Sequence, residues 1–245
     1  MRASISRRDV YKKTAVKDGW RARSAYKLIM IDEKLDIFSH CLRVVDLCCA
    51  PGSWSQVAAK LIPPSPDRRI IAIDLRDIQP IDGVIQLHGD ITCESTAKRV
   101  IDLMDGNLAD LVMADGAPDI TGRIEYDEYV QHGLVRASLA IATMMLREGG
   151  YFISKIFRTK SLSSVYAQLG CFFSEIVLCK SRASRLSSVE AFVVCKGFKL
   201  PDQYIPTLIT TRLPSGPVPN VPFVPCGDVN GYDSERTYLL SDDEE

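Results

Sequence analysis

A short run near residue 50 limits what this chain can fold into more than any other stretch. Val44 and Val45 read as the end of a buried strand that closes on Asp46 and Leu47. A tight turn through Pro51 and Gly52 comes next, and Trp54, Val57, Ala58 and Leu61 then recur at helical spacing. A strand, a turn that brings backbone close to a ligand, and a helix starting there make the first βα unit of a nucleotide-binding sheet. At Gly52 any Cβ would collide with such a ligand or force a disfavoured φ. An ordinary strand-to-helix turn would use the same residues, so the rest of the chain has to decide between the two.

Downstream the pattern repeats. Strands are expected near Leu42–Leu47, Arg69–Asp74, Val84–His88, Asp110–Asp115, Tyr151–Phe157, Glu175–Leu178 and Ala191–Cys195. Between them lie helical stretches near Trp54–Leu61, Ala97–Met104 and Val165–Leu169, and a long one from about Tyr126 to Leu146 that Gly149–Gly150 stops. An earlier amphipathic helix covers Ser24–Asp32, with Ser24 as its cap. Near-continuous apolar strands alternating with helices predict an α/β fold, a mainly parallel sheet covered on both faces. Within 245 residues this divides into a basic N-terminal arm (1–23), one domain (24–199) and a Pro-rich, acidic C-terminal extension (200–245). The extension reads as an extended tail that wraps the domain or awaits a partner.

The formal net charge of −1 conceals an asymmetry. From Met1 to Lys27 nine lysines and arginines against Asp9 and Asp18 leave +7, whereas from Asp228 to Glu245 seven acids against Arg236 leave −6. A basic arm carrying Tyr11, Trp20 and Tyr26 suits a phosphate-backbone ligand, though a solvated tail would look the same. Arg7, Arg8, Lys12, Lys13, Arg21 and Arg23, with Arg182 and Arg185 further on, are the expected phosphate contacts. The eight cysteines form no C-x-x-C pair, so zinc is not expected and a reducing compartment is. No secretory signal or membrane span is visible, and the expected address is the cytoplasm.

Ligands of an open parallel sheet bind at the carboxyl ends of its strands, and here those ends carry Asp46, Asp74, Asp90 and Asp115. The nicotinamide fingerprint needs three glycines and only Gly52 is present. A dinucleotide pyrophosphate among carboxylates is electrostatically disfavoured. A cationic, phosphate-free nucleoside such as S-adenosylmethionine suits the site better. A second constellation is Lys27, Asp115, Lys155 and Glu190. Lys155 and Glu190 lie in apolar strands, where a charge needs a partner or a task. Two lysines and two carboxylates could hold one lysine neutral as a general base, or could form a structural ion pair.

Five stretches together resemble the FtsJ/RrmJ-type RNA 2′-O-ribose methyltransferases. These are Trp20–Leu28, the Asp46–Gln56 turn, Asp115–Asp119, Ser154–Phe157 and Ser188–Phe192. The resemblance implies a Rossmann-like methyltransferase sheet of seven strands, the last antiparallel, and S-adenosylmethionine as cofactor without a metal. Its Lys-Asp-Lys-Glu tetrad falls on Lys27, Asp115, Lys155 and Glu190, with Lys155 as base and Lys27 depressing its pKa. The family's cofactor positions fall on Gly52, Trp54, Asp74, Asp90 and Asp115, Asp74 holding the ribose and Asp90 facing the adenine amine. Asp119–Gly122, Ser181–Ser188 and Val221–Asp228 look like the eukaryotic cytoplasmic tRNA branch. That branch methylates two anticodon-loop riboses, expected at positions 32 and 34, with auxiliary proteins, one a WD-repeat protein, choosing the position. Ribosomal RNA or an mRNA cap as substrate, and a catalytically silent RNA-binding module, are the alternatives.

Overall fold

The computed structural model describes residues 9–119, 121–159 and 161–234. Arg7, Arg8, Ile120 and the acidic residues beyond 234 lie outside them. The strands are β1 (Arg43–Leu47), β2 (Arg69–Asp74), β3 (Ile85–His88), β4 (Ala109–Ala114), β5 (Leu146–Phe157), β6 (Phe173–Ser181), β7 (Glu190–Phe198) and β8 (Phe223–Cys226). The helices are α1 (Val10–Lys17), α2 (Ser24–Leu35), α3 (Ser53–Leu61), α4 (Glu94–Leu103), α5 (Ile124–Thr143) and α6 (Leu162–Leu169). The sheet order is β3-β2-β1-β4-β5-β7-β6-β8. β7 runs antiparallel between β5 and β6, and the pairings from β3 through β5 are parallel.

Alternation along the strands divides the core into two layers. Val44, Leu111, Met113, Ile153, Phe192 and Val194 pack beneath α2 and α3, against Ala25, Leu28, Ile31, Trp54 and Val57. Val45, Leu47, Val112, Phe152 and Val193 face the other way, toward α4, α5 and α6. Both faces are thus dry, which is why these strands read as continuous apolar runs rather than alternating ones.

The Rossmann-like expectation holds, with eight strands in place of the expected seven. The eighth comes from the Pro-rich extension: Phe223–Cys226 pairs in parallel with Leu178–Ser181. Pro222 accepts from the Leu178 amide through its carbonyl, at 2.8 Å, and a proline-bearing segment is tolerated because it lies at the edge of the sheet. Two local expectations also change. α5 ends at Thr143, and Gly149–Gly150 lie inside β5, where the register against β4 shifts between Ala109 and Leu111. A Cβ at Gly150 would stand 2.9 Å from the Arg147 carbonyl oxygen, so the glycine serves a bulge rather than a helix stop. Ser24 is not the cap of α2 and instead shares a 2.7 Å hydrogen bond with Ser53 at the start of α3.

Candidate active site

The carboxyl ends of β1, β2 and β4 and the amino end of β7 converge on one edge of the sheet. Lys155 pairs directly with Phe192, and Glu190 pairs with Phe157. Period-two alternation therefore puts Lys155 and Glu190 on the same face as diagonal neighbours. That face lies under α2, where Ala25, Leu28 and Ile31 are buried and carry Lys27 down with them. Lys27 Nζ stands 2.6 Å from Glu190 Oε1 and Lys155 Nζ stands 3.3 Å from Glu190 Oε2. On its other side Lys155 Nζ is 3.5 Å from Asp115 Oδ1. Two ammonium groups grip one carboxylate, and a second carboxylate flanks one of them.

These groups are shielded from water, the two lysine side chains being 7% and 13% exposed. Burial, the largest single influence on Glu190, raises its pKa, but Lys27, Lys155 and the Ser184 hydroxyl together outweigh it and bring the carboxyl down to about 2. Burial likewise lowers Lys155, yet Asp115 and Glu190 overcome it and hold the ammonium above its ordinary pKa. The net shift of Lys155 is therefore upward, against the expectation that Lys27 depresses it: the Glu190 carboxylate lies between the two lysines, and Asp115 adds a second negative charge on the Lys155 side.

Gly52 caps α3 at φ +101°, as the turn required. The space a Cβ would take is filled by Arg21 Nη1 at 2.8 Å and Ile81 Cδ1 at 3.0 Å. Arg21 donates to the carbonyls of Pro51 and Pro80, at 3.0 and 2.8 Å, and so pins the β2–β3 connection across the Gly52 turn rather than reaching for phosphate. Gly52→Ala should cost about 1–2 kcal/mol from the left-handed backbone alone. A lowered urea midpoint would register it, and an unchanged one would mean the turn adapts freely.

The side chain of Trp54 is a core element, 2% exposed, its indole N–H donating to the Ser24 carbonyl at 3.0 Å and its ring 5.5 Å from Phe192. Its backbone amide lies in the first turn of α3, where helix amides have no intrahelical acceptor. Asp74 ends β2 and accepts from the Ala50 amide at 2.8 Å and the Arg76 amide at 2.9 Å. It lines a cavity of about 210 Å³ with Cys49, Arg76, Ile78, Gln86 and His88. Asp90 stands just past β3, with Oδ1 held by the Thr92 amide and hydroxyl. Asp46 is fully buried with Oδ2 bonded to the Ser55 hydroxyl. Burial, with Asp115 and Asp74 nearby, pushes it up to about 8 against the Ser55 hydrogen bond.

Two side chains to which sequence reasoning assigned no part also contribute. Gln131 on α5 is 1% exposed and donates to the carbonyls of Gly116 and Lys155, tying the Asp115 loop to β5. Ser184 donates to Glu190 Oε1 at 2.8 Å. Only Ser184 left a trace, within the Ser181–Ser188 stretch; a buried glutamine in mid-helix gives none.

Of the expected phosphate contacts, Arg23 pairs with Asp9 at 2.5 Å and Arg185 approaches the same carboxylate at 3.9 Å. Arg182 donates to the Gly231 carbonyl at 3.3 Å. Among the described residues no group of three or more histidine, cysteine, aspartate or glutamate side chains is arranged to hold a metal. No helix among them is long and apolar enough to cross a membrane.

The model of the FtsJ-like methyltransferase family matches residues 20–198. The chain is 47% identical to the tRNA (cytidine(32)/guanosine(34)-2′-O)-methyltransferase of Mus musculus, over 98% of this chain and 77% of that protein. It is 41% identical to the protein of the same name from Schizosaccharomyces pombe, over 97% of this chain and 87% of that one. A crystal structure of a putative ribosomal RNA methyltransferase from Plasmodium falciparum shares the fold with a TM-score of 0.64 at 23% identity, covering 73% of this chain and 98% of that one. The matched span takes in both lysines, both carboxylates and the Gly52 turn, and on these grounds the chain belongs to the FtsJ-like methyltransferase family.

Proposed function

We propose that this protein transfers a methyl group from S-adenosylmethionine to the ribose 2′-hydroxyl of tRNA anticodon-loop nucleotides, at positions 32 and 34. The observation that carries the reading is the Glu190 carboxylate gripped by Lys27 and Lys155, with Asp115 flanking Lys155. The substrate is the one named for the mouse and fission-yeast relatives.

The residues present fit the cofactor. Asp115 Oδ1, though 3.5 Å from Lys155 Nζ, and Asp46 Oδ1 are buried without a hydrogen bond, and the carboxylates of Asp74, Asp90 and Asp115 suit a cationic, phosphate-free nucleoside. When bound, S-adenosylmethionine supplies an activated methyl group on a sulfonium. Gly52 and the first amides of α3, that of Trp54 among them, would hold its amino-acid end together with Asp115. Asp74 would take the ribose hydroxyls and Asp90 the adenine amine. Asp74→Ala is then expected to weaken cofactor binding about ten- to a hundredfold, the range of a hydrogen bond to a charged group. Unchanged affinity by calorimetry would remove Asp74 from the ribose.

Lys155 takes the proton of the 2′-hydroxyl as that oxygen reacts. Glu190 and Asp115 aim its Nζ, and Lys27 anchors the far oxygen of Glu190 while adding positive charge beside the reacting oxygen. Because the carboxylates hold Lys155 as an ammonium at neutral pH, transfer should quicken as pH rises toward that lysine's titration. Arg7, Arg8, Lys12, Lys13, Arg21 and Arg23, with Arg182 and Arg185, are the basic groups the sequence offers for RNA phosphates. The same reading expects a cytoplasmic enzyme and an auxiliary WD-repeat protein that selects the nucleotide.

The test is methylation of full-length tRNA and of ribosomal particles, with the modified riboses mapped. Methyl groups at 32 and 34 that vanish when those riboses are 2′-deoxy would support the reading. Transfer to ribosomal RNA alone would replace the substrate, and no transfer in any arm, with auxiliary protein supplied, would favour a silent RNA-binding module.

A further inference from the structure

The C-terminal extension reaches Glu190 by a route of its own. Beyond β8 the chain folds back over the loop that joins β6 to β7. The Arg182 amide donates to the Cys226 carbonyl at 2.9 Å, and Arg182 Nε donates to the Gly231 carbonyl. The Tyr11 hydroxyl donates to the Tyr232 carbonyl at 2.8 Å, which brings α1 into the same junction. Ser234 Oγ then donates to the Ser184 carbonyl at 3.1 Å, and Ser184 Oγ donates to Glu190 Oε1 at 2.8 Å. Ser184 and Ser234 are 2% and 7% exposed, so water does not readily stand in for either hydroxyl.

We infer that Ser184 is a positioning residue for methyl transfer, and that the segment from β8 to Ser234 acts through it by holding the loop on which it sits. This rests on the reading of Lys27, Asp115, Lys155 and Glu190 as the reacting group. Glu190 Oε1 is shared between Lys27 at 2.6 Å and Ser184, while Oε2 makes the longer contact, 3.3 Å, to Lys155. Without the serine hydroxyl the carboxylate is free to turn toward Lys27, and the contact that opens is the one to the base. The loop cannot supply this order unaided, because Arg185, Leu186 and Ser187 are exposed and only Ala183 and Ser184 are buried at its start. Ala183 packs against Val10 and Tyr11. The charged groups facing Glu190 are Lys27 from α2, Lys155 from β5, with Asp115 behind it, and Lys180 from β6, which donates to the Ser188 and Glu190 carbonyls.

The experiment measures kcat, KM for S-adenosylmethionine and the pH profile of tRNA methylation for the full chain, Ser184→Ala, Ser234→Ala and Lys155→Ala. Ser184→Ala should lower kcat about tenfold with KM for the cofactor unchanged. Its rising limb should move to lower pH by about half a unit or more, because Lys155 parts from a carboxylate that favoured its charged form. Ser234→Ala should give the same signature in smaller measure, without altering any residue of the loop. A fall in kcat with the limb unmoved in both variants would mean a merely structural role and overturn the inference, as would wild-type profiles in both. The two readings separate cleanly. Methyl transfer by Lys155→Ala at the wild-type rate would sink the catalytic assignment itself, whereas an inactive Lys155→Ala beside wild-type serine variants would sink only the positioning role.

Discussion

Lys155→Ala should lower methyl transfer by about a thousandfold or more, within the range a general base contributes, while leaving S-adenosylmethionine affinity in place. Lys155 Nζ lies between Asp115 Oδ1 at 3.5 Å and Glu190 Oε2 at 3.3 Å, and no other amine among the described residues occupies that position. The proposed cofactor contacts at Asp74 and Asp90 come from β2 and the loop after β3, and Asp115 keeps its own carboxylate when its 3.5 Å neighbour Lys155 is lost, so cofactor binding is expected to hold. Lys155→Arg makes the test sharper. A guanidinium keeps the charge and both carboxylate partners but does not release its proton in the working pH range. The arginine variant is therefore expected to be folded, able to bind cofactor, and inactive. Single-turnover transfer by either variant at the wild-type rate would end the assignment of Lys155 as base.

Glu190→Gln should destabilise the fold by about 3 kcal/mol at neutral pH, because removing one partner of a buried ion cluster leaves charge uncompensated. The side chains of Lys27 and Lys155 would then face each other nearly dry, with Asp115 the one acid left in contact. The pH dependence has a definite sign. Glu190 sits at about 2 in the folded protein against an ordinary value of 4.5. Its contribution is present in full above about 4.5 and is lost as pH falls toward 2, so wild-type and variant stabilities should converge in acid. Urea midpoints for both proteins at pH 7 and pH 3 measure this. Equal midpoints at pH 7 would show that the cluster adds nothing to the fold. A gap undiminished at pH 3 would assign the loss to packing instead of charge.

The βα rhythm was legible because both faces of the sheet are covered. Strands such as Arg69–Asp74 must then be apolar along their middle, here Ile70 to Ile73, and a run of that kind between turn residues has few other readings. Lys155 and Glu190 were legible for the same reason: a charge inside an apolar run is rare unless paired. The extension was harder to read. Seven prolines between 201 and 225 argue against a strand, and Phe223–Cys226 forms one only because the edge of β6 offers a partner. The side chain of Trp54 packs in the core, which the helical spacing of Trp54, Val57 and Ala58 already favoured. Arg21 and Arg23 read as RNA contacts by charge alone, but carbonyl oxygens and Asp9 claim their guanidinium groups.

The amino-acid sequence by itself determined which groups would be charged and buried, and that Gly52 would turn the chain into α3, since burial pattern and backbone permissiveness are local properties. Tertiary structure alone decided the sign of the Lys155 shift, because that sign is the difference between desolvation and the field of two carboxylates brought from the end of β4 and from β7. It also decided that Ser184 and Ser234 line up behind Glu190. A hydrogen bond depends on a few tenths of an ångström between segments far apart along the chain, and no spacing within the sequence encodes that distance.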